Sequence, residues 1–253
     1  MKFSAMTSFA LAFASGAAAR QITVYNACPF TVWPALFTDV NAGGGIPSQV
    51  TGWTLGSYEK TVFTVPENWK AGRIWGRRNC DFSKPGPTSC LTGGCNGGLV
   101  CDPTTGTGVP PATVAEFTFD GTQDNYDVSL VDGADLPMRQ YNRINPTAGC
   151  PVAECPVDLG PNCPTEIKGP FDASGFPLGC KSWCQVSGDP AACCTGSHSG
   201  GPDVCPSSGV KYYSYFKTNC PRSYAYAYDE PSGTALFTCP TSNHADYTIT
   251  FCP

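Results

Sequence analysis

GRIWGRRNCDFSKPGPTSCLTGGCNGGLVC, from Gly72 to Cys101, opens like a strand at Ile74 and Trp75 and then runs out of bulky apolar residues. From Cys80 onward it holds four cysteines, five glycines and two prolines. A segment of that composition buries too little apolar surface to offset its ordering entropy, so a covalent or metallic clamp has to hold it. The chain around it carries sixteen cysteines in 253 residues, an even number that reads as a disulfide framework in an oxidising compartment. Zinc is the weaker reading. The only histidines, His198 and His244, sit in no ligand pattern, and the adjacent Cys193 and Cys194 suit two separate bridges better than one tetrahedral site.

The N-terminus supports the same compartment. Met1-Lys2 gives a short positive start, FALAFA from Phe9 to Ala14 is an apolar run, and Ala17-Ala18-Ala19 supplies small residues for cleavage. Residues 1–19 are therefore expected to be a secretory signal peptide, with the mature chain beginning near Arg20 or Gln21. The apolar run is too short for a membrane anchor, and no later segment approaches the ~20 apolar residues that a spanning helix needs. Loss of Lys2 takes the net charge from −5 to −6, and the sequence pI is about 4.9. Such an acidic chain is a poor partner for nucleic acid or an anionic membrane but accepts a neutral polysaccharide.

Short runs rich in β-branched and aromatic residues mark the strands: QITVYNA, FTVWPALF, KTVFTVP, RIWGR, TVAEFTF, YDVSLVDG, ALFTCP and DYTITFCP. This pattern predicts an antiparallel sandwich or barrel. From Cys155 to Cys220 the strand pattern lapses while eight cysteines accumulate. A helix is expected over Val210–Asn219, capped by Ser207 or Ser208, with a short helical turn near GCKSWCQV. The expected organisation is a β-sandwich body (20–78, 104–154 and 221–253), a small disulfide finger (79–103) and a disulfide-rich lobe (155–220).

ATVAEFTFDGTQDNYDVSLVDG, Ala112 to Gly133, reads as a hairpin whose turn is DGTQDN. In that register Thr118 faces Asp127 and Glu116 faces Ser129, leaving Glu116 and Asp127 as diagonal neighbours about 7–8 Å apart at Cα. Shifting the pairing by two keeps both carboxylates on one face, whereas a shift by one separates them. The opposite face collects Ala115, Phe117, Phe119, Tyr126, Val128 and Leu130, a core side. By parity Asp132 belongs to that apolar face and reaches the acidic one only if the strand end twists or bulges. Two close carboxyl groups, one protonated and one ionised, are what glycoside hydrolysis requires. An ordinary solvated strand face gives the same pattern. Neither histidine lies near a GxSxG elbow, and an even cysteine count leaves no spare thiol.

RIWGRRNCDF, SCLTGGCNGGLVC, AEFTF, YDVSLVDG, LPM, the Cys193-Cys194 pair, SYAYAYDEPSGTALFTCP and TITFCP follow one another in an order that resembles the thaumatin-like proteins, also called pathogenesis-related group 5. The resemblance covers essentially the whole mature chain. The family usually has Asp where Gly94 stands.

The resemblance implies a mainly β fold, with a sandwich, a disulfide lobe and a finger. It also implies eight bridges: Cys28–Cys252, Cys80–Cys90, Cys95–Cys101, Cys150–Cys239, Cys155–Cys220, Cys163–Cys180, Cys184–Cys193 and Cys194–Cys205. An acidic cleft is implied as well, lined by Arg73, Glu116, Asp127, Asp132 and Asp229. On this reading the protein is a secreted, extracellular or cell-wall monomer without cofactor or metal, acting on β-1,3-glucan as a weak endo-glucanase with antifungal activity. Glu116 would be the general acid and Asp127 or Asp132 the base or nucleophile, while Arg73 and Asp229 would hold substrate. The alternative is a defence protein that binds glucan, or perturbs membranes, without turnover.

Overall fold

Alternation of apolar and polar residues builds two five-stranded sheets. The computed structural model describes residues 19–142 and 149–253, so the expected signal segment lies outside the described residues except for Ala19. The strands are β1 (Ala19–Asn26), β2 (Ala35–Thr38), β3 (Lys60–Pro66), β4 (Gly72–Trp75), β5 (Arg78–Cys80), β6 (Cys90–Thr92), β7 (Val114–Phe119), β8 (Gln123–Ser129), β9 (Met138–Asn142), β10 (Ala153–Cys155), β11 (Phe237–Pro240) and β12 (Tyr247–Phe251). One sheet has the order β10-β9-β12-β1-β3 and the other β11-β8-β7-β4-β2, with β5 and β6 forming a separate ribbon. Pairing is antiparallel except between β1 and β12, which run parallel and join the two ends of the chain.

The inward faces meet in an aromatic core. Trp69 stacks on Phe117 at 5.4 Å between ring centroids, and Phe119 stacks on Tyr247 at 5.8 Å. Trp69 lies so close to β4 that a Cβ on Gly72 would sit 2.2 Å from its ring, so that position has to be glycine. One buried ion pair crosses the edge of this core: Arg20 donates to Asp124 at 2.9 Å and to Glu67 at 2.6 Å.

All eight disulfides have the pairing that the resemblance implies. The Gly72–Cys101 stretch is nevertheless held by more than its two local bridges. Arg77, fully buried, donates to the carbonyls of Trp33, Pro34, Gly98 and Leu99 at 2.8, 3.2, 2.6 and 2.7 Å. Burial without a facing carboxylate pulls its pKa down to about 10. Asp135 accepts from Thr92 of β6 at 2.7 Å and from the Thr113 amide at 2.9 Å, tying the ribbon to the segment that enters β7. At Gly94 a Cβ would lie 2.0 Å from the Pro87 carbonyl oxygen, which explains why the family's aspartate is absent here.

Several local expectations change. FTVWPALF forms a strand only from Ala35, because Pro34 offers no amide to a ladder, and Val32 keeps an isolated bridge to Leu55. The helix expected over Val210–Asn219 begins at Tyr213. Tyr212 takes a left-handed conformation, and Ser207–Gly209 is a separate 3-10 turn, so neither serine caps the helix. Among the described residues the three α-helices, α1 (Trp183–Ser187), α2 (Pro190–Cys193) and α3 (Tyr213–Asn219), are all short. α1 is set by a capping box between Ser182 and Gln185. No helix among the described residues is long and apolar enough to cross a membrane.

Candidate functional site

The hairpin β7–β8 carries the two carboxylates of its outer face directly opposite each other, Glu116 against Asp127, and not on the expected diagonal. The reason lies in the turn. The Asp120 carboxylate accepts from the amides of Thr122 and Gln123, both at 2.8 Å, and Gly121 supplies a left-handed φ of 92°. That Asx turn closes the hairpin two residues tighter than DGTQDN suggested and draws Gln123–Asn125 into β8. The shift is by two, so both groups stay on the outer face, with Cβ atoms about 4.5–5.5 Å apart.

Arg73 of β4 faces Glu116 in the same cross-strand row. Its Nε lies 3.2 Å from Glu116 Oε1, and Nη2 donates to Asp132. Asp132 reaches this face because β8 ends at Ser129, and the chain turns where the Gly133 amide bonds back to the Leu130 carbonyl. Strand parity no longer applies beyond that point. Arg73, Glu116, Asp127 and Asp132 therefore meet in one cleft of about 620 Å³.

Asp229 does not join them. It is 1% exposed, accepts from the Ala225 amide at 3.0 Å and the Tyr213 hydroxyl at 2.8 Å, and pairs with Lys217 at 2.9 Å. Its neighbour Glu230 lines the cleft instead, with the Tyr224 hydroxyl donating to it at 3.1 Å. The resemblance assigns the position to Asp229 rather than to its neighbour Glu230, and gives Tyr224 of YAYAYDE no place among the cleft residues. The adjacent acids in YDEP were the available signal, but which one turned outward depended on the loop.

The cleft is strongly acidic: among the described residues Asp39, Glu116, Asp127, Asp132 and Glu230 line it together with Arg73. Asp127 is 9% exposed and its Oδ1 has no hydrogen-bond partner among the described residues. Burial and then the charge of Glu116 push its pKa well above the usual carboxylate range, against the pull of Arg73. Burial also raises Glu116, but Arg73 opposes that shift from 3.2 Å away. Burial works to lower the Arg73 pKa; Glu116 and Asp132 outweigh it, and the net shift is upward. Both carboxyl groups are thus raised, with the Arg73 guanidinium set against Glu116. A carboxylic acid beside a pinned carboxylate can donate and accept protons in one step.

Comparison with known proteins agrees with this architecture. The model of the thaumatin family matches residues 26–253. Pathogenesis-related thaumatin-like protein 3.5 of Cryptomeria japonica is 41% identical over 237 residues, covering 94% of this chain and 91% of its own length. Thaumatin-like protein 1 of Pyrus pyrifolia is 40% identical over 262 residues, covering all of both chains. The chain belongs to the thaumatin family. Among solved structures, a family 64 laminaripentaose-producing β-1,3-glucanase from Paenibacillus barengoltzii aligns over 92% of this chain and 75% of its own with a TM-score of 0.54 at 13% identity, a likeness of fold alone.

Proposed function

We propose that this protein works outside the cell, binding β-1,3-glucan in the acidic cleft and hydrolysing it slowly, in an antifungal or cell-wall role. The observation that carries this reading is the directly opposed Glu116–Asp127 pair with Arg73 against Glu116. The roles differ from those first expected. Asp127, the better proton holder, protonates the glycosidic oxygen as its bond to the anomeric carbon breaks. Glu116 or Asp132, each held by Arg73, activates water or attacks that carbon. The glucanase fold likeness supports the substrate class, since one structure of that enzyme is a complex with laminarihexaose (TM-score 0.50). Family membership and eight disulfides support an extracellular setting.

Turnover is expected to be slow because the cleft offers little aromatic surface for a sugar ring. Phe37, Phe117 and Tyr224 all line it but are 8%, 2% and 8% exposed. Binding without turnover is the second reading, favoured by Arg73 engaging both Glu116 and Asp132 and so holding both candidate bases. The test is reducing-end release from soluble β-1,3-glucan by the oxidised protein, with Asp127→Asn and Glu116→Gln alongside and binding measured for each. Hydrolysis predicts wild-type release that drops at least about 100-fold in Asp127→Asn while binding persists. Binding by all three with no release from any would leave a lectin-like cleft.

A further inference from the structure

We infer that Tyr224 is a positioning residue: its hydroxyl holds the Glu230 carboxylate in the cleft as a second acidic group, after Glu116, bearing on Asp127. The inference deepens the proposed hydrolysis and rests on the view that the proton on Asp127 matters. Tyr224 is built onto the strand that carries Asp127. Its amide donates to Val128 at 2.9 Å and its carbonyl accepts from the Leu130 amide at 2.9 Å, so its backbone runs alongside Ser129 as an added parallel bridge. This fixes the ring within the cleft wall, 8% exposed, with its hydroxyl on Glu230 Oε1 at 3.1 Å.

The loop beyond is tied from its other side. Asp229 is clamped by Tyr213, the Ala225 amide and Lys217, while Glu230 opens a 3-10 turn with Pro231. The clamp at 229 orients the backbone, and the hydroxyl of Tyr224 selects where the Glu230 side chain points. The groups facing Asp127 are then Glu116 from β7, Arg73 from β4, Glu230 from this turn, and Tyr224 itself. The negative charge of Glu230 adds to that of Glu116 in keeping the proton on Asp127. Tyr224 lines the same cleft as Asp127, and its hydroxyl is itself raised by burial and by the Asp127 and Glu230 charges.

The experiment is a ¹³C-carboxyl NMR titration of the full oxidised chain, comparing wild type, Tyr224→Phe, Glu230→Gln and the double variant. Tyr224→Phe keeps the ring and deletes only the hydroxyl. The expected result is a lower Asp127 midpoint in Glu230→Gln than in wild type. Tyr224→Phe should reproduce most of that fall, and the double variant should go no further than Glu230→Gln. A purely structural tyrosine would move the thermal midpoint and leave the titration where it was. An Asp127 midpoint unchanged in Tyr224→Phe, or additive shifts in the double variant, would overturn the proposal. The titration needs no turnover. Wild type that releases no reducing ends, while the Asp127 shifts appear as described, would sink the hydrolysis reading and leave the positioning role standing.

Discussion

Asp135 is where a single side chain sets a property of the fold. It is 3% exposed, and burial, against the hydrogen bonds from Thr113 and Thr92 and the charge of Arg78, raises its pKa from 3.8 to about 6. A carboxyl group whose native pKa is raised binds protons more tightly folded than unfolded. Its contribution is complete below about pH 3.8 and is lost as the pH rises through about 6. The shift corresponds to at most about 3 kcal/mol. Asp135→Asn, whose neutral amide can still accept from Thr113, should flatten the pH dependence of stability in that window. Denaturant midpoints at pH 4 and pH 7 check this: the wild-type difference should shrink in the variant, and an unchanged difference would place the titrating group elsewhere. Glu116 and Asp127, also raised, add slopes of the same sign, so the variant removes only part of the effect.

Element by element, strand alternation was readable wherever apolar residues occupied every core position. It failed at β9, where Met138 and Gln140 point inward and Gln140 breaks the apolar pattern with an amide. Gln140 is fully buried, and neither its Oε1 nor its Nε2 has a hydrogen-bond partner among the described residues. Burying an unpartnered amide costs about 1–3 kcal/mol, and leucine has a similar volume. Gln140→Leu is therefore expected to raise the unfolding free energy by about 1–2 kcal/mol, read from the urea midpoint. A lower midpoint would mean that a trapped water satisfies the amide. The helices show a similar division. The serine-glutamine capping box of α1 is legible in KSWCQ, whereas the left-handed Tyr212 that delays α3 has no sequence signature.

For the whole molecule, the main event is the meeting of the two ends. β1 and β12 pair in parallel in the middle of one sheet, and Cys28–Cys252, 224 residues apart, seals that pairing. Closing so long a loop removes more unfolded-state entropy than the short finger bridges do, in the chain-entropy account. The remaining bridges shorten the effective loop. Replacing both cysteines by alanine should cost about 3–5 kcal/mol, against about 2–3 kcal/mol for loss of Cys95–Cys101. Guanidinium denaturation of the two double variants would rank them, and a reversed order would show that native packing around the finger outweighs loop entropy.

The sequence by itself determined the disulfide-rich β class, most of the strands and the sharing of one outer face by Glu116 and Asp127. All of these depend on cysteine count or on a period of two, which are local properties. The bridge pairing came through family resemblance, since spacing alone leaves many connectivities open. Tertiary structure decided the rest. The Asp120 turn chose direct opposition over the diagonal, and the end of β8 released Asp132 into the cleft. The clamp on Asp229 sent Glu230 there in its place. Arg77 found its carbonyls only once distant loops had converged around it. Each of these outcomes rests on which buried polar group finds a partner across long sequence separations, and a linear pattern does not encode that choice.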